Sequence, residues 1–378
     1  MIYADHNATT PMRPEARAAM LRASEIGANP SSVHEAGRKA RQVLEAARRQ
    51  VAGAIGAAAQ DVVFTSGGTE ASALALQGAA RKLGDSATLL LTKLEHSAVR
   101  DNAASSGLPV KTIPVLEDGT LDLNALSAEV AALSAQNRVP FLALMLANNE
   151  TGVIQPVAEA AAIVREAGGV THCDAVQGFG KIQVNVSLLG VDYLALSAHK
   201  CGGPAGVGAL WVRSGAPLMP LMLGGGQERS LRSGTENLLG IAAFGAAAET
   251  SIAALDEMTT LALHRDAMEA RLKAEAGVTV FGEGAPRLPN TSCFALAGFP
   301  SETQVMAMDL EGVCISAGSA CSSGKVKVSG VLSAMGVSDA LASCAIRTSF
   351  GWNSTPEDFE ATADAWLKVT KRVAQRAG

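Results

Sequence analysis

The stretch Tyr193-Leu-Ala-Leu-Ser-Ala-His-Lys200, followed by Cys201-Gly-Gly-Pro204, decides the fold. Its first part is short and apolar and is followed by turn residues, which is the pattern of a buried strand. The strand delivers Ser197, His199 and Lys200 at its carboxyl end, where open α/β sheets bind their ligands. A lysine placed there among few charges can lose its proton and act as a nucleophilic amine. A solvent-exposed lysine that merely follows a strand fits this stretch equally well.

A second short strand separates these alternatives. The stretch Val170-Thr-His-Cys-Asp174-Ala-Val-Gln177 is apolar, ends in a carboxylate, and precedes Lys200 by about one strand-helix-strand unit. A lysine and a buried carboxylate are the pair that pyridoxal phosphate requires. The lysine forms a Schiff base with the cofactor, and the acid keeps the pyridine nitrogen protonated. Taken alone, Asp174 could be an ordinary helix N-cap.

A glycine-rich turn supplies a candidate phosphate site. The strand Val62-Val-Phe-Thr65 is followed by Ser66-Gly-Gly-Thr-Glu70, which opens a helix predicted over residues 71–83. Backbone N–H groups at a helix start bind anions, and glycines such as Gly68 let the backbone approach a phosphate closely. Most such turns bind no ligand. Gly68 and Thr69 are therefore predicted to bind a phosphate only because the lysine and the carboxylate are also present.

The composition of the chain limits what kind of protein it can be. The chain has 378 residues, a net charge of −5 and 48% hydrophobic residues, which predicts one large and one smaller globular domain. It shows no basic patch for nucleic acid, no apolar run long enough to span a membrane and no signal-peptide pattern. Six cysteines without paired spacing predict reduced thiols and a cytoplasmic location. Neither a CxxC motif nor a histidine cluster predicts a metal site.

A second chemical stretch, Ile315-Ser-Ala-Gly-Ser-Ala-Cys321-Ser-Ser-Gly-Lys-Val-Lys327, surrounds one cysteine with small residues. We expect this loop to be exposed and mobile, and Lys325 and Lys327 to favour the thiolate. A Ser/Gly linker with an incidental cysteine is the alternative. Cys201 is expected to face away from Lys200 if the chain is extended there. The remaining cysteines are expected to be small core residues: Cys173, Cys293, Cys314 and Cys344.

Together these motifs resemble a known family. Asp174-Ala-Val-Gln177, Ser197-Ala-His-Lys200 and Arg232-Ser-Gly-Thr235 are similar to those of cysteine desulfurases of the NifS/IscS-like branch of the class V aminotransferases. The resemblance covers nearly the whole chain, from Asn7-Ala-Thr-Thr10 to Arg347-Thr-Ser-Phe-Gly351. As a set the motifs are specific, although each one alone is weak.

The resemblance implies an α/β architecture, the pyridoxal-phosphate-dependent transferase fold of type I (aspartate aminotransferase-like). A large domain with a mostly parallel central sheet is expected over residues 14–256. A smaller α+β domain that carries the cysteine loop is expected to combine residues 1–13 and 257–378.

The resemblance also assigns roles to single residues. His96 stacks over the pyridine ring and moves protons, and Asn149 and Gln177 bond the ring hydroxyl. Asn29 and Arg347 contact the substrate carboxylate. The residues implied to bind pyridoxal 5'-phosphate are Gly68, Thr69, His96, Asn149, Asp174, Gln177, Ser197, His199, Lys200 and Thr235.

The implied reaction converts L-cysteine to L-alanine, with Lys200, Cys321 and His96 as catalytic residues and the sulfur held as a persulfide on Cys321. The sulfur then passes to an acceptor protein such as an Fe–S scaffold. A homodimer is implied, in which Thr235 reaches the phosphate bound by the partner subunit.

Three alternatives remain. The chain could be an aminotransferase or a selenocysteine lyase on the same scaffold, or a sulfur-delivery subunit that chiefly binds partners. Departures at His6, Ala205 and Cys201-Gly-Gly203 leave the subtype open.

Overall fold

The computed structural model describes residues 1–318 and 328–377, with side chains through Arg372. Cys321 lies outside the described residues. The strands are β1 (Ile2–Tyr3), β2 (Val62–Thr65), β3 (Ala87–Leu91), β4 (Val110–Thr112), β5 (Val139–Met145), β6 (Val170–Asp174), β7 (Tyr193–Ser197), β8 (Gly208–Val212), β9 (Thr279–Val280), β10 (Thr291–Ala295), β11 (Val313–Cys314), β12 (Ser316–Ala317) and β13 (Ala345–Ser349).

Helices alternate with the strands through the first two thirds of the chain, as βαβ units require. The helices are α1 (Pro14–Ser24), α2 (Glu35–Ala54), α3 (Gly68–Leu83), α4 (Ser97–Ala104), α5 (Leu123–Ala135), α6 (Val157–Glu166), α7 (Val186–Leu189), α8 (Leu238–Ala253), α9 (Leu255–Ala276), α10 (Ser301–Leu310), α11 (Gly330–Ala334), α12 (Asp339–Ala342) and α13 (Pro356–Ala377). No single described helix is long and apolar enough to cross a membrane. Helices α8 and α9 pass that test only as a pair, bent by 63°.

The central sheet has seven strands in the order β2-β8-β7-β6-β5-β3-β4. All neighbouring pairs are parallel except the two that involve β8. Strands β5, β6 and β7 are buried along nearly their whole length, as expected where helices cover both faces of a parallel sheet. In register, Asp174 lies opposite Met145 on one side and Ala195 on the other. The carboxyl ends of these strands therefore meet at one edge, and the predicted mostly parallel sheet is confirmed.

A smaller antiparallel sheet, in the order β12-β13-β10-β9, forms the second part of the molecule. Its core is aromatic: Phe294 of β10 meets Trp366 of α13 edge to face, with ring centroids 5.5 Å apart. The N-terminal strand β1 pairs in parallel with β11, so the first residues join the C-terminal third of the chain. The domain boundaries stay a prediction. The break between α8 and α9 falls at Ala254, near the predicted end of the large domain.

Two local expectations were wrong. The spacing of Ser32 and Glu35 in the sequence predicts a capping box at the start of α2. The N-cap is instead His34, whose Nδ1 accepts from the Gly37 N–H at 3.2 Å. The chain at Cys201 is also not extended, because Ala198–Lys200 forms a 3₁₀ turn. Cys201 is buried, and its thiol donates to the Ala198 carbonyl at 3.3 Å.

Candidate active site

A cavity of about 390 Å³ lies at the carboxyl edge of β5, β6 and β7. Because parallel strands end together there, side chains from distant parts of the sequence meet around it. All the predicted cofactor residues except Thr235 line this cavity. Its lining consists of Ser66, Gly67, Gly68, Thr69, Glu70, His96, Ala98, Met145, Ala147, Asn149, Asp174, Val176, Gln177, Ser197, His199, Lys200, Ala205 and Gly206.

Asp174 is the last residue of β6 and is buried. Its Oδ1 accepts from the Val176 N–H at 3.0 Å, and the carboxylate makes no ion pair with any described residue. Burial raises the pKa of Asp174, while the Val176 hydrogen bond, His96 and Lys200 oppose that rise. A buried carboxylate that faces a cavity without a counter-charge suits a ligand that brings a cationic N–H, such as a pyridinium.

Lys200 ends the 3₁₀ turn that follows β7, and its side chain faces the same cavity. Its Nζ donates to the main-chain oxygens of Asn7 at 2.5 Å and Ala8 at 2.8 Å. Burial, with help from the nearby Arg347 charge, lowers the pKa of Lys200 from 10.5 to about 8. A free amine is therefore accessible near neutral pH, as a nucleophilic lysine requires.

The N-terminus of α3, formed by Gly67, Gly68 and Thr69, also lines the cavity. The helix dipole and the unpaired first N–H groups of a helix favour an anion at this point. Space at the two glycines differs. A Cβ at Gly67 would meet no atom within 4 Å, whereas a Cβ at Gly68 would lie 2.6 Å from Val176 Cγ2. The open side of Gly67 leaves room for a ligand against the backbone.

Two histidines border the cavity with different surroundings. His96 is exposed and caps α4, because its Nδ1 accepts from the Ala98 N–H at 3.1 Å. His199 lies 3.1 Å from Thr9 Oγ1 through its Nδ1. Burial, together with the charges of Lys200 and Lys181, lowers the pKa of His199 to about 4. His199 is therefore neutral at physiological pH and serves as a hydrogen-bonding partner.

Comparison with known proteins identifies the family. The family model described as aminotransferase class-V matches residues 2–362. A cysteine desulfurase of Cereibacter sphaeroides is 43% identical over 94% of this chain and 92% of the relative. A cysteine desulfurase IscS of Dictyoglomus turgidum is 39% identical over 98% of this chain and 95% of the relative. The solved structure of a NifS-like protein from Rickettsia africae has a TM-score of 0.88 at 33% identity and covers 98% of this chain and 99% of that one.

The chain belongs to the cysteine desulfurases of the class-V aminotransferase family. The predicted family, its type I fold and its NifS/IscS-like branch are confirmed. Family members are pyridoxal-phosphate enzymes, and the donor set around the cavity fits that cofactor: an anion site, an uncompensated carboxylate and an amine of lowered pKa.

In this cysteine desulfurase, three of the predicted site residues that the structure describes do not line the cavity. Arg347 is buried beside it, where its guanidinium donates to Asp5 Oδ1 at 2.5 Å and to the Asn149 carbonyl at 3.0 Å. Asn29 is exposed, and its Oδ1 accepts from the Ser31 N–H at 2.8 Å. Thr235 is exposed and lies away from the lining. Their predicted roles stay predictions.

Sequence reasoning missed several buried polar residues of the desulfurase site. The Asn7-Ala-Thr-Thr10 motif marks one end of the family resemblance, but nothing in it indicated that its main-chain oxygens hold Lys200. Glu95 is buried, and its Oε1 accepts from the Met145 N–H at 3.1 Å. Burial raises the pKa of Glu95 to about 8. Lys181 is 3% exposed and lies against Gln177.

The described residues on either side of the cysteine segment are anchored. The Gly318 N–H donates to the Ala345 carbonyl at 2.9 Å. Ser329 Oγ donates to Glu150 Oε2 at 2.5 Å and also caps α11. These contacts tie the two flanks to β13 and to the loop that follows β5.

Proposed function

We propose that the chain binds pyridoxal 5'-phosphate in the cavity and uses Lys200 as the Schiff-base lysine. The observation that carries this proposal is that the Lys200 amine and the uncompensated Asp174 carboxylate face one cavity. When bound, this cofactor supplies an electron sink for a carbanion at the substrate Cα. Binding of the cofactor and the substrate, and the transfer of protons, depend on the residues of the chain.

Each part of the lining has a place in this assignment. With the cofactor bound, Asp174 would accept a hydrogen bond from the ring nitrogen, and the N-terminus of α3 at Gly68 and Thr69 would bind the phosphate. His96 would cover the ring, and Asn149 and Gln177 would bind the ring oxygen. Support comes from their common exposure to the cavity.

The proposed reaction converts L-cysteine and the Cys321 thiol to L-alanine and a Cys321 persulfide. With the cofactor bound, Lys200 would take the Cα proton of the substrate, for which its lowered pKa is suitable. The Cys321 thiolate would attack the substrate sulfur, so that an S–S bond forms as the Cβ–S bond breaks. The Cβ carbon would then take a proton, and Lys200 would return the first proton to Cα, which completes alanine.

Arg347 is the proposed carboxylate ligand, since a guanidinium fork suits a carboxylate. In the structure the Asp5 carboxylate forms an ion pair with one terminal nitrogen of the Arg347 guanidinium. Substrate binding at Arg347 therefore requires the substrate carboxylate to compete with Asp5 or to use the Nε group, which has no partner among the described residues.

The proposed assembly is a cytoplasmic homodimer that delivers the persulfide sulfur to an acceptor thiol, such as that of an Fe–S scaffold protein. Thr235 is exposed and is not among the lining residues of its own chain's cavity, which supports a role across a subunit interface.

One set of measurements tests the proposal. Purified protein should absorb as a pyridoxal-phosphate enzyme, and borohydride should fix the cofactor to the peptide that contains Lys200. With L-cysteine and no reductant, intact-protein mass spectrometry should find one extra sulfur atom on the Cys321 peptide, together with free alanine.

Cys321→Ser provides the decisive control. The variant should keep its bound cofactor but form no alanine, because a serine hydroxyl is protonated at neutral pH. Turnover of cysteine by this variant at the wild-type rate would replace the desulfurase mechanism with aminotransferase chemistry, which needs Lys200 and Asp174 but no thiol.

A further inference from the structure

One buried lysine has no part in the proposed chemistry. Lys181 lies in the loop after β6, and its Nζ donates to two amide oxygens, Asn7 Oδ1 at 2.8 Å and Gln177 Oε1 at 2.7 Å. No carboxylate pairs with it among the described residues. Burial, with the charges of Lys200 and Arg347, holds the pKa of Lys181 well below its usual value. Even a neutral amine has the two N–H groups that these bonds need.

Lys181 dictates which way two amides face. An amide end carries a carbonyl oxygen, which accepts, and an NH₂ group, which donates. Because Lys181 offers donors, both amides must turn their oxygens toward it. The NH₂ group of Gln177 then faces the Asn7 main-chain oxygen, to which it donates at 2.9 Å. Its second N–H has no partner among the described residues, and Gln177 lines the cavity.

We infer that Lys181 is a positioning residue, which holds the Gln177 amide so that an N–H donor, and not the carbonyl oxygen, is available to the cavity. This inference rests on the proposed cofactor, whose ring carries an anionic oxygen next to the aldehyde carbon. A donor stabilises that oxygen, and a carbonyl oxygen in the same place repels it. Lys181 itself does not line the cavity.

The same amine also helps to orient Asn7. Asn7 Oδ1 accepts from Lys181 Nζ at 2.8 Å and from Asn290 Nδ2 at 3.2 Å. The Asn7 Nδ2 then donates to Thr291 Oγ1 at 2.9 Å and to the Asn149 carbonyl at 3.2 Å. The main-chain oxygen of Asn7 accepts from both Gln177 and Lys200. Lys181 thus orients a network that reaches the proposed Schiff-base lysine through one carbonyl group.

The test compares two ligands on the full chain freed of cofactor: pyridoxal 5'-phosphate and its 3-deoxy analogue, which lacks the ring oxygen. Equilibrium binding gives a preference ratio for each variant. The wild type should prefer the natural cofactor by about tenfold, the size of one charge-assisted hydrogen bond. Lys181→Met should abolish most of this preference while affinity for the deoxy analogue changes little.

Two further variants separate positioning from damage to the fold. Gln177→Ala should lose the same preference, and adding Lys181→Met to it should change the ratio no further, since both act through one amide. Arg287→Met is the matched control, because it removes a buried cation that pairs with Glu269 outside the cavity lining. It should lower the unfolding temperature and keep the preference ratio.

Gln177→Glu covers the case in which Lys181→Met does not fold. It gives Lys181 a carboxylate partner but removes the donor, so the preference for the ring oxygen should be lost. A wild type that binds neither ligand overturns the proposed cofactor. A wild type that prefers the natural cofactor, with Lys181→Met or Gln177→Glu keeping the full preference, overturns the role of Lys181 alone.

Discussion

Two parts of the cavity lining are built in different ways. In the part that we call the turn end, the residues Gly67, Gly68 and Thr69 are consecutive and belong to the unit of β2 and α3. In the part that we call the lysine end, the Lys200 amine is held by main-chain oxygens of Asn7 and Ala8, 193 and 192 positions earlier in the chain. The turn end is therefore a local structure, and the lysine end depends on the whole fold.

This difference has a mechanical consequence. Asn7 is bonded to the small sheet, since its N–H donates to Ser349 Oγ at 2.9 Å and its Nδ2 donates to Thr291 Oγ1. Strands β10 and β13, which carry Thr291 and Ser349, thus reach Lys200 through one residue of the N-terminal segment. No comparable connection is needed for the α3 N-terminus to bind an anion.

The largest effect should come from removing the amine of the lysine end. Lys200→Ala should lower alanine formation by at least about a thousandfold, because both the covalent link and the proton transfer depend on this amine. The turn end should still bind the phosphate of the cofactor. Binding should thus be measurable but not trapped by borohydride, whereas complete loss of binding would show that the turn end does not act independently.

At the turn end, the two glycines should respond differently. Gly67 lines the cavity and a Cβ there would meet no atom within 4 Å, so Gly67→Ala should lower cofactor affinity by about tenfold with little change in unfolding temperature. Gly68→Ala forces a Cβ to 2.6 Å from Val176 Cγ2 and should lower the unfolding temperature itself. Equal thermal shifts for both variants would contradict the local character of this turn.

The lysine end should make stability depend on pH. In the cofactor-free chain the pKa of Lys200 is lowered to about 8, so the unfolded chain binds more protons than the folded chain between that pH and the ordinary value of 10.5. The free energy of unfolding should therefore rise with pH more steeply across this window than that of Lys200→Met. Above the window the two proteins should have the same pH dependence. Urea unfolding of both proteins at several pH values measures it. Parallel curves would mean that burial does not perturb this amine.

The smallest effect is expected for Thr235, which belongs to neither end within one chain. If a second subunit completes the turn end, Thr235→Ala should weaken cofactor retention by about fivefold, the loss of one hydrogen bond. Thr259→Ala, at another exposed threonine, is the control. Sedimentation should find a dimer, and a fully active monomer would show that the cavity needs no partner.

Sequence patterns predicted the strands of the site well. β2 runs over Val62–Thr65 as expected, and the Asp174 and Lys200 motifs lie at strand ends as expected. Alternation and short apolar runs carry this information because each depends only on neighbours in the chain. The capping of α2 was missed since His34, not Ser32, accepts from the helix N-terminus. That choice depends on how the preceding loop packs.

The chemical groups at the carboxyl ends of β6 and β7 follow from the order of residues alone, because parallel strands must bring those ends to one edge. The glycine-rich start of α3 follows in the same way, since that turn is made within one short segment. Long-range packing was needed to show that the Asn7 carbonyl holds Lys200, that Asp5 pairs with Arg347 and that Lys181 is buried against Gln177. Main-chain oxygens have no residue-specific signature, and a lysine looks the same in sequence whether it is exposed or buried. The partners of these groups were therefore set by long-range packing.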